Sequence, residues 1–260
     1  MGKTNFSLAV FFLGIFLSYP IHAELDVQRL SEQDIQRVKT ILAKLTPVIQ
    51  QRETAGTLAT LSFEELYAPL VKEEISFLQQ FQKLDPVKVG IKTTWHGIAN
   101  GNVALVRVDS QAIKKNGEVT YLSIQYVPRE VYEQYVKMME AMKKDLGKQL
   151  YIESAYRSSA YQLYLFILYL KNHDYSILET ARWNALPGYS EHGDPEHQAL
   201  DFINEEGING EENPESFEKL PEYQWLLKHA HEHHFVLSFP KNDPSGIAFE
   251  PWHWRYEKED

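Results

Sequence analysis

From Ser31 onward apolar residues recur every three to four positions, at Ile35, Val38, Ile41, Leu42, Leu45, Val48 and Ile49. That spacing predicts an amphipathic helix with one face on a core. Ser31 and Asp34 supply a capping pattern for its start, and Pro47 marks a place where it kinks or ends. A second start, Ser62-x-x-Glu65, leads into Leu66, Leu70, Val71, Ile75, Leu78 and Phe81 at the same spacing, with Pro69 as a possible break. Both stretches read as packing elements without chemistry. The period then changes. Residues 87–91 alternate, residues 103–108 form a short apolar run, and Leu122, Ile124 and Tyr126 alternate before Pro128. Strands are expected there, with a hairpin or long loop around Lys115-Asn116-Gly117.

Helical spacing returns at about residues 130–146, with Val131, Tyr135, Met138, Met139 and Met142 inward and Gly147 as the stop. The methionines read as core packing rather than a soft metal site. Leu150-Tyr151-Ile152-Glu153-Ser154 is a predicted strand that feeds Tyr156-Arg157-Ser158. Ser158 or Ser159 then caps an apolar helix to about residue 170. Helices follow at about 176–183 and 221–233, with strands around 197–202 and 235–239 and at the C-terminal end. The series describes an α+β fold, a small and mostly antiparallel sheet flanked by helices, with an N-terminal helical extension.

Composition narrows the chemistry. With 260 residues and 43% apolar content, the chain buries a full core as one domain or one domain with an appendage. Cysteine is absent, so disulfides and thiolates are excluded and a metal site must draw on His, Asp and Glu. Residues 1–23 have the pattern of a signal peptide: Lys3, an apolar run over residues 6–19, and Ala23 as a small residue for cleavage. The run is shorter than the ~20 residues of a membrane span. An exported, periplasmic or extracellular protein is expected, with no stable membrane anchor after cleavage. Losing this segment removes one base and no acid, moving the formal charge from −10 to −11. Such a balance argues against nucleic acid as a partner.

The candidate chemistry lies late in the chain. Glu250 precedes His253 by three residues in Phe249-Glu250-Pro251-Trp252-His253-Trp254-Arg255-Tyr256. A zinc hydrolase needs imidazoles to hold the metal and a carboxylate to take a proton from the attacking water. His192, Asp201 and His253 offer two imidazoles and a carboxylate, leaving a fourth position open. Asp201 falls within an otherwise apolar strand pattern, where an unpaired carboxylate is costly. His197 is a rival ligand, but four strand residues put it about 13 Å from Asp201 at ~3.3 Å per residue. In an ideal strand Glu250 and His253 point to opposite faces, so a bend at Pro251-Trp252 is required if both serve one site. His229, His231, His233 and His234 read as a solvated helix end. Arg157, between a strand end and a helix start, is either a surface residue or an anion-binding cation.

Three segments together resemble the zinc D-alanyl-D-alanine carboxypeptidases of the vancomycin-resistance (VanY-like) type, a group of LAS metallopeptidases related in fold to the hedgehog domain. They are Ser154-Ala155-Tyr156-Arg157-Ser158 with Gln162, Pro187-Gly188-Tyr189-Ser190-Glu191-His192 through Asp201, and Glu250-Pro251-Trp252-His253-Trp254-Arg255-Tyr256. The resemblance covers about residues 120–257 and divides the chain into a signal peptide (1–23), an unassigned helical region leading into strands (24–119) and a carboxypeptidase domain (120–260). It implies His192, Asp201 and His253 as ligands of one Zn2+ per chain, Glu250 as catalytic base and Arg157 as the residue that steadies the substrate's anionic centre. Ser154, Tyr156, Ser158, Gln162 and Ser190 line or support the substrate pocket on the same reading. The implied substrate is a peptidoglycan stem peptide or another peptide ending in a D-amino acid. L,D-carboxypeptidase, endopeptidase and non-catalytic zinc-stabilised binding module are the alternatives. One departure stands out: the resemblance places the first His and the Asp seven residues apart, whereas His192 and Asp201 are nine apart, with His197 where a glycine is usual.

Overall fold

The computed structural model describes residues 24–101, 103–115, 117–211 and 213–258, so the expected signal peptide, residues 1–23, lies outside the described residues. The first helix, α1 (Glu32–Thr54), starts where Ser31 Oγ accepts the Asp34 N–H at 3.1 Å. It runs through Pro47 without ending. Ile35, Val38, Ile41, Leu45 and Ile49 are buried on both sides of the proline, and each is worth about 1.5–3 kcal/mol. That burial outweighs the ~3 kcal/mol a helical proline costs. The Ser62–Glu65 capping box forms in both directions and opens α2 (Phe63–Tyr67). Pro69 does break the helical run there. The chain restarts as α3 (Lys72–Gln82), with the Glu74 carboxylate accepting the Val71 N–H.

The alternating residues 87–91 do not form the expected strand. Pro86–Val89 is a short 3-10 turn instead. Asp85 Oδ1 accepts the Val87 N–H, Pro86 sets the first φ, and Gly90 closes the turn at φ 76°, so local turn chemistry overrides the alternation. Strands β1 (Leu105–Val108) and β4 (Gln125–Pro128) pair antiparallel. Between them β2 (Ala112–Lys115) and β3 (Glu118–Tyr121) form a separate hairpin. The long helix α4 (Arg129–Leu146) buries the five predicted residues and ends at Gly147, φ 69°.

The central sheet is antiparallel throughout, in the order β5-β6-β8-β7: Leu150–Ser154, Ala199–Asn204, His253–Tyr256 and Phe235–Leu237. Helix α5 (Ser159–Tyr169) follows β5 and is capped by Ser158. Next come α6 (Ile177–Ala181), α7 (Pro214–Glu218) and α8 (Pro221–His229). Two apolar cores result. One joins α1 and α3 to α5 and α6 through residues such as Phe81, Phe166 and Ile177. The other packs the sheet against α4 and α8 through Met138, Phe202, Leu226 and Trp254.

Candidate active site

Strand register brings the site together. Ser154 stands opposite Asp201 across β5–β6, and Asp201 opposite His253 across β6–β8. Between Ile152 and Ser154 the pairing skips one residue, so Glu153 occupies a β-bulge. Residues 251–252 form a turn, and the His253 N–H returns to the Glu250 carbonyl at 3.1 Å. This is the bend that the odd spacing of Glu250 and His253 demands. It leaves Glu250 Oε2 3.7 Å from His253 Nδ1. Trp254 and Tyr256 meanwhile point into the second core.

His192 arrives on a short 3-10 turn, Glu191–Gly193. Its Nδ1 lies 2.8 Å from the Ala155 carbonyl, an acceptor, so the proton sits on Nδ1 and Nε2 carries a lone pair. That Nε2 is 3.1 Å from Asp201 Oδ2 but off the hydrogen-bonding direction, which leaves a buried ring nitrogen without a partner. His253 Nδ1 is 2.9 Å from Asp201 Oδ1. Donor atoms of His192, Asp201 and His253 all lie within 4.8 Å of one another, the one such group among the described residues. The orphaned nitrogen and the facing carboxylate fit a metal ion of the kind N and O ligands hold.

Electrostatics are arranged around this triad. Burial and the Arg157 charge push His192 down to about 4, against Asp201, so its imidazole is neutral. Burial would raise Asp201, but His192 and His253 hold it well below the carboxylate range. For His253 burial acts downward, and hydrogen bonds to Asp201 and Glu191 overcome it, lifting the ring to about 10. Burial lifts Glu250 to about 8, opposed by His253 and Arg157 and assisted by Asp201.

Glu191 lies at the same site, although the motif reading gave it no role. Its Oε2 accepts from Ser238 Oγ at 2.6 Å and faces His253 Nε2 at 2.9 Å. A carboxylate on one ring nitrogen fixes the orientation of an imidazole, and here it leaves Nδ1 facing Asp201. The signal available in the sequence was only a carboxylate beside His192.

A cavity of about 680 Å³ opens over these groups. Ser154, Tyr156, Arg157, Gln162 and Ser190 line it, together with His192, Asp201, Glu250 and His253. Arg157 Nε is buried without a partner. Gln162 donates to the Ala185 carbonyl at 2.7 Å and leaves its Oε1 unpaired. Tyr156 OH accepts from the Gly101 N–H at 2.8 Å. Ser158 is not part of the cavity wall. Fully buried, it caps α5 and donates to the Leu61 carbonyl at 2.6 Å, so it supports the junction rather than touching a substrate.

His197 stays outside the triad. It is half exposed, with Nδ1 3.0 Å from Asp194 Oδ2. The extra residues between His192 and Asp201 are absorbed by a turn in which Asp194 Oδ1 accepts the N–H groups of Glu196 and His197. Of the histidines at 229–234, His229 and His233 lie against Trp225 with ring centroids 4.9 and 6.4 Å away, and His234 meets Tyr256 instead.

Two imidazoles and a carboxylate that could hold a metal ion thus share one cavity of an α+β scaffold with a second buried carboxylate and a guanidinium. The chain belongs to the VanY family, D-alanyl-D-alanine carboxypeptidase, whose model matches residues 124–259. YodJ of Bacillus subtilis (strain 168) is 29% identical over 136 residues, which cover 50% of this chain and 46% of that protein. A D-alanyl-D-alanine carboxypeptidase of Enterococcus faecium is 28% identical over 134 residues, 50% of this chain and 37% of that protein. The chain thus spans less than half the length of either relative. Among solved structures, the LdcB LD-carboxypeptidase superposes with a TM-score of 0.48 at 25% identity, covering 66% of this chain and 77% of that one.

Proposed function

We propose that the chain is an exported zinc carboxypeptidase that trims peptidoglycan stem peptides by removing a terminal D-alanine. The observation that carries this reading is the meeting of His192, Asp201 and His253 with Glu250 and Arg157 on one cavity. Membership of the VanY family supports the reaction class. A zinc ion held by His192, Asp201 and His253 would supply Lewis acidity, polarising the scissile carbonyl and lowering the pKa of water. His192 offers Nε2 because its one N–H, on Nδ1, donates to the Ala155 carbonyl. To ligate, His253 would give up the Nδ1 proton it shares with Asp201, while Glu191 holds its Nε2–H. Glu250, beside the triad without belonging to it, takes a proton from the attacking water and returns it to the leaving amine. Arg157 holds the negative charge of the terminal carboxylate or of the developing oxyanion.

The test is mass spectrometry of defined stem peptides incubated with the zinc-loaded protein. Release of one alanine from a pentapeptide ending in D-Ala-D-Ala is the expected result. Release from a tetrapeptide alone moves the reading to an L,D-carboxypeptidase, and cleavage of a C-terminally amidated peptide at full rate moves it to an endopeptidase. Stoichiometric zinc with no cleavage leaves a zinc-stabilised binding module.

A further inference from the structure

Residues 90–101 form a strap without regular secondary structure, outside the segment that the family model matches. The strap touches two of the three segments that carry the chemistry and the loop that leads into the third. At its start the Lys92 N–H donates to the Ser245 carbonyl at 2.7 Å, in the loop leading to Glu250. A Cβ on Gly246 would lie 2.5 Å from the Gly90 carbonyl oxygen, so backbone packs on backbone there. In its middle the His96 N–H donates to the Gly188 carbonyl at 2.8 Å, and His96 Nδ1 lies 2.9 Å from Asp194 Oδ2, on either side of His192. The Trp95 ring fills the space a Cβ on Gly188 would take and meets Tyr189 edge-on at 5.0 Å. Toward its end the Ala99 N–H donates to Ser159 Oγ, the Ser159 N–H to the Ala99 carbonyl, and the Gly101 N–H to Tyr156 OH, on either side of Arg157. Ile91 and Thr93 reach the cavity wall itself.

We infer that this strap is a positioning element of the active site, setting the loops of His192 and Glu250 and the Arg157 junction relative to one another. The physical reason is that these segments come from separate parts of the chain. Their strands fix Asp201 and His253 by sheet register, but no strand carries His192, Glu250 or Arg157. The inference rests on the peptidase reading for its consequence in catalysis, though not for the contacts.

The test compares the parent with Trp95→Ala/His96→Ala and with the conservative Trp95→Phe/His96→Asn, which keeps a ring and a donor. Zinc content, kcat/KM and amide hydrogen exchange are measured on zinc-loaded protein. The alanine pair is expected to keep one zinc per chain and to lose about tenfold or more in kcat/KM, since a misplacement of about 1 Å costs on the order of 100-fold. Faster exchange is expected at residues 155–159, 186–194 and 243–250, with the sheet and α1 unchanged. The conservative pair should recover most of both. Unchanged exchange in those loops, or faster exchange spread equally through both cores, overturns the inference, as does full activity in the alanine pair of an active parent. If the parent cleaves no peptide the functional proposal fails, and the exchange data alone still decide the strap.

Discussion

At the scale of single residues, Glu250 differs from the three donors in facing the triad without completing it. Glu250→Gln is therefore expected to lower kcat by about 100-fold or more while zinc stays near one per chain, read by turnover and metal analysis. Zinc loss in that variant would make Glu250 a ligand instead. His192 and His197 separate in the same way. With its Nε2 orphaned beside Asp201, His192→Ala should strip the metal, whereas His197→Ala, on the exposed turn, should leave stoichiometry intact. Glu191 acts through His253. Removing it in Glu191→Ala should weaken zinc binding by about 10–100-fold, the usual cost of losing such a partner. Competition with a chelator of known affinity measures this, and an unchanged Kd would show that sheet register alone orients His253.

At the scale of elements, the bulge in β5 turns a carboxylate into a half-dry setting. Burial lifts Glu153 from 4.5 to about 7, with the Asn209 amide at 2.9 Å acting in the opposite sense. A raised folded pKa means that the fold favours the protonated acid. The stabilisation is therefore fully present below about 4.5 and is lost as pH rises through about 7. Glu153→Gln mimics the protonated form, so its stability relative to the parent should climb across that window by up to about 3 kcal/mol. Denaturant unfolding of both proteins at pH 4 and pH 8 checks it; a difference independent of pH would mean that the carboxylate is solvated. Elements also show how neighbours override pattern. Val87 and Val89 alternate like a strand, yet Asp85, Pro86 and Gly90 close a turn around them, leaving Val87 71% exposed.

At the scale of the whole molecule, the N-terminal helices share one core with α5, and α5 begins two residues after Arg157. The peptide groups there are held from several sides: Arg157 N–H by the His192 carbonyl, Ser158 N–H by Ala59 and Ser159 N–H by Ala99. Phe166, 6.1 Å from Phe81, is a buried point of that shared core. Phe166→Ala should cost about 3–5 kcal/mol. Three of the five tryptophans, Trp225, Trp252 and Trp254, lie in the other core. Their fluorescence should follow the loss with a single shifted midpoint if the cores unfold together. Two separated midpoints would show that the helical region unfolds on its own.

What the sequence determined by itself is the set of locally encoded features. Capping at Ser31 and Ser62, a cap at Ser158 or Ser159, the buried stripes of α1 and α4, and the glycine stop at Gly147 depend on residues within a turn or two of one another, so periodicity and capping chemistry suffice to find them. The donor types were legible too, since the absence of cysteine leaves only imidazole and carboxylate for a metal. Tertiary structure decided which of them meet. Asp201 faces His253 through a strand pairing 52 residues apart, and Glu191 reaches His253 across 62. The extra residues before His197 could not be assigned to site or surface until the Asp194 turn carried them outward. The strap was invisible for the same reason: its backbone N–H groups and its Trp95 and His96 side chains meet loops far along the chain, and nothing near them in sequence marks those partners.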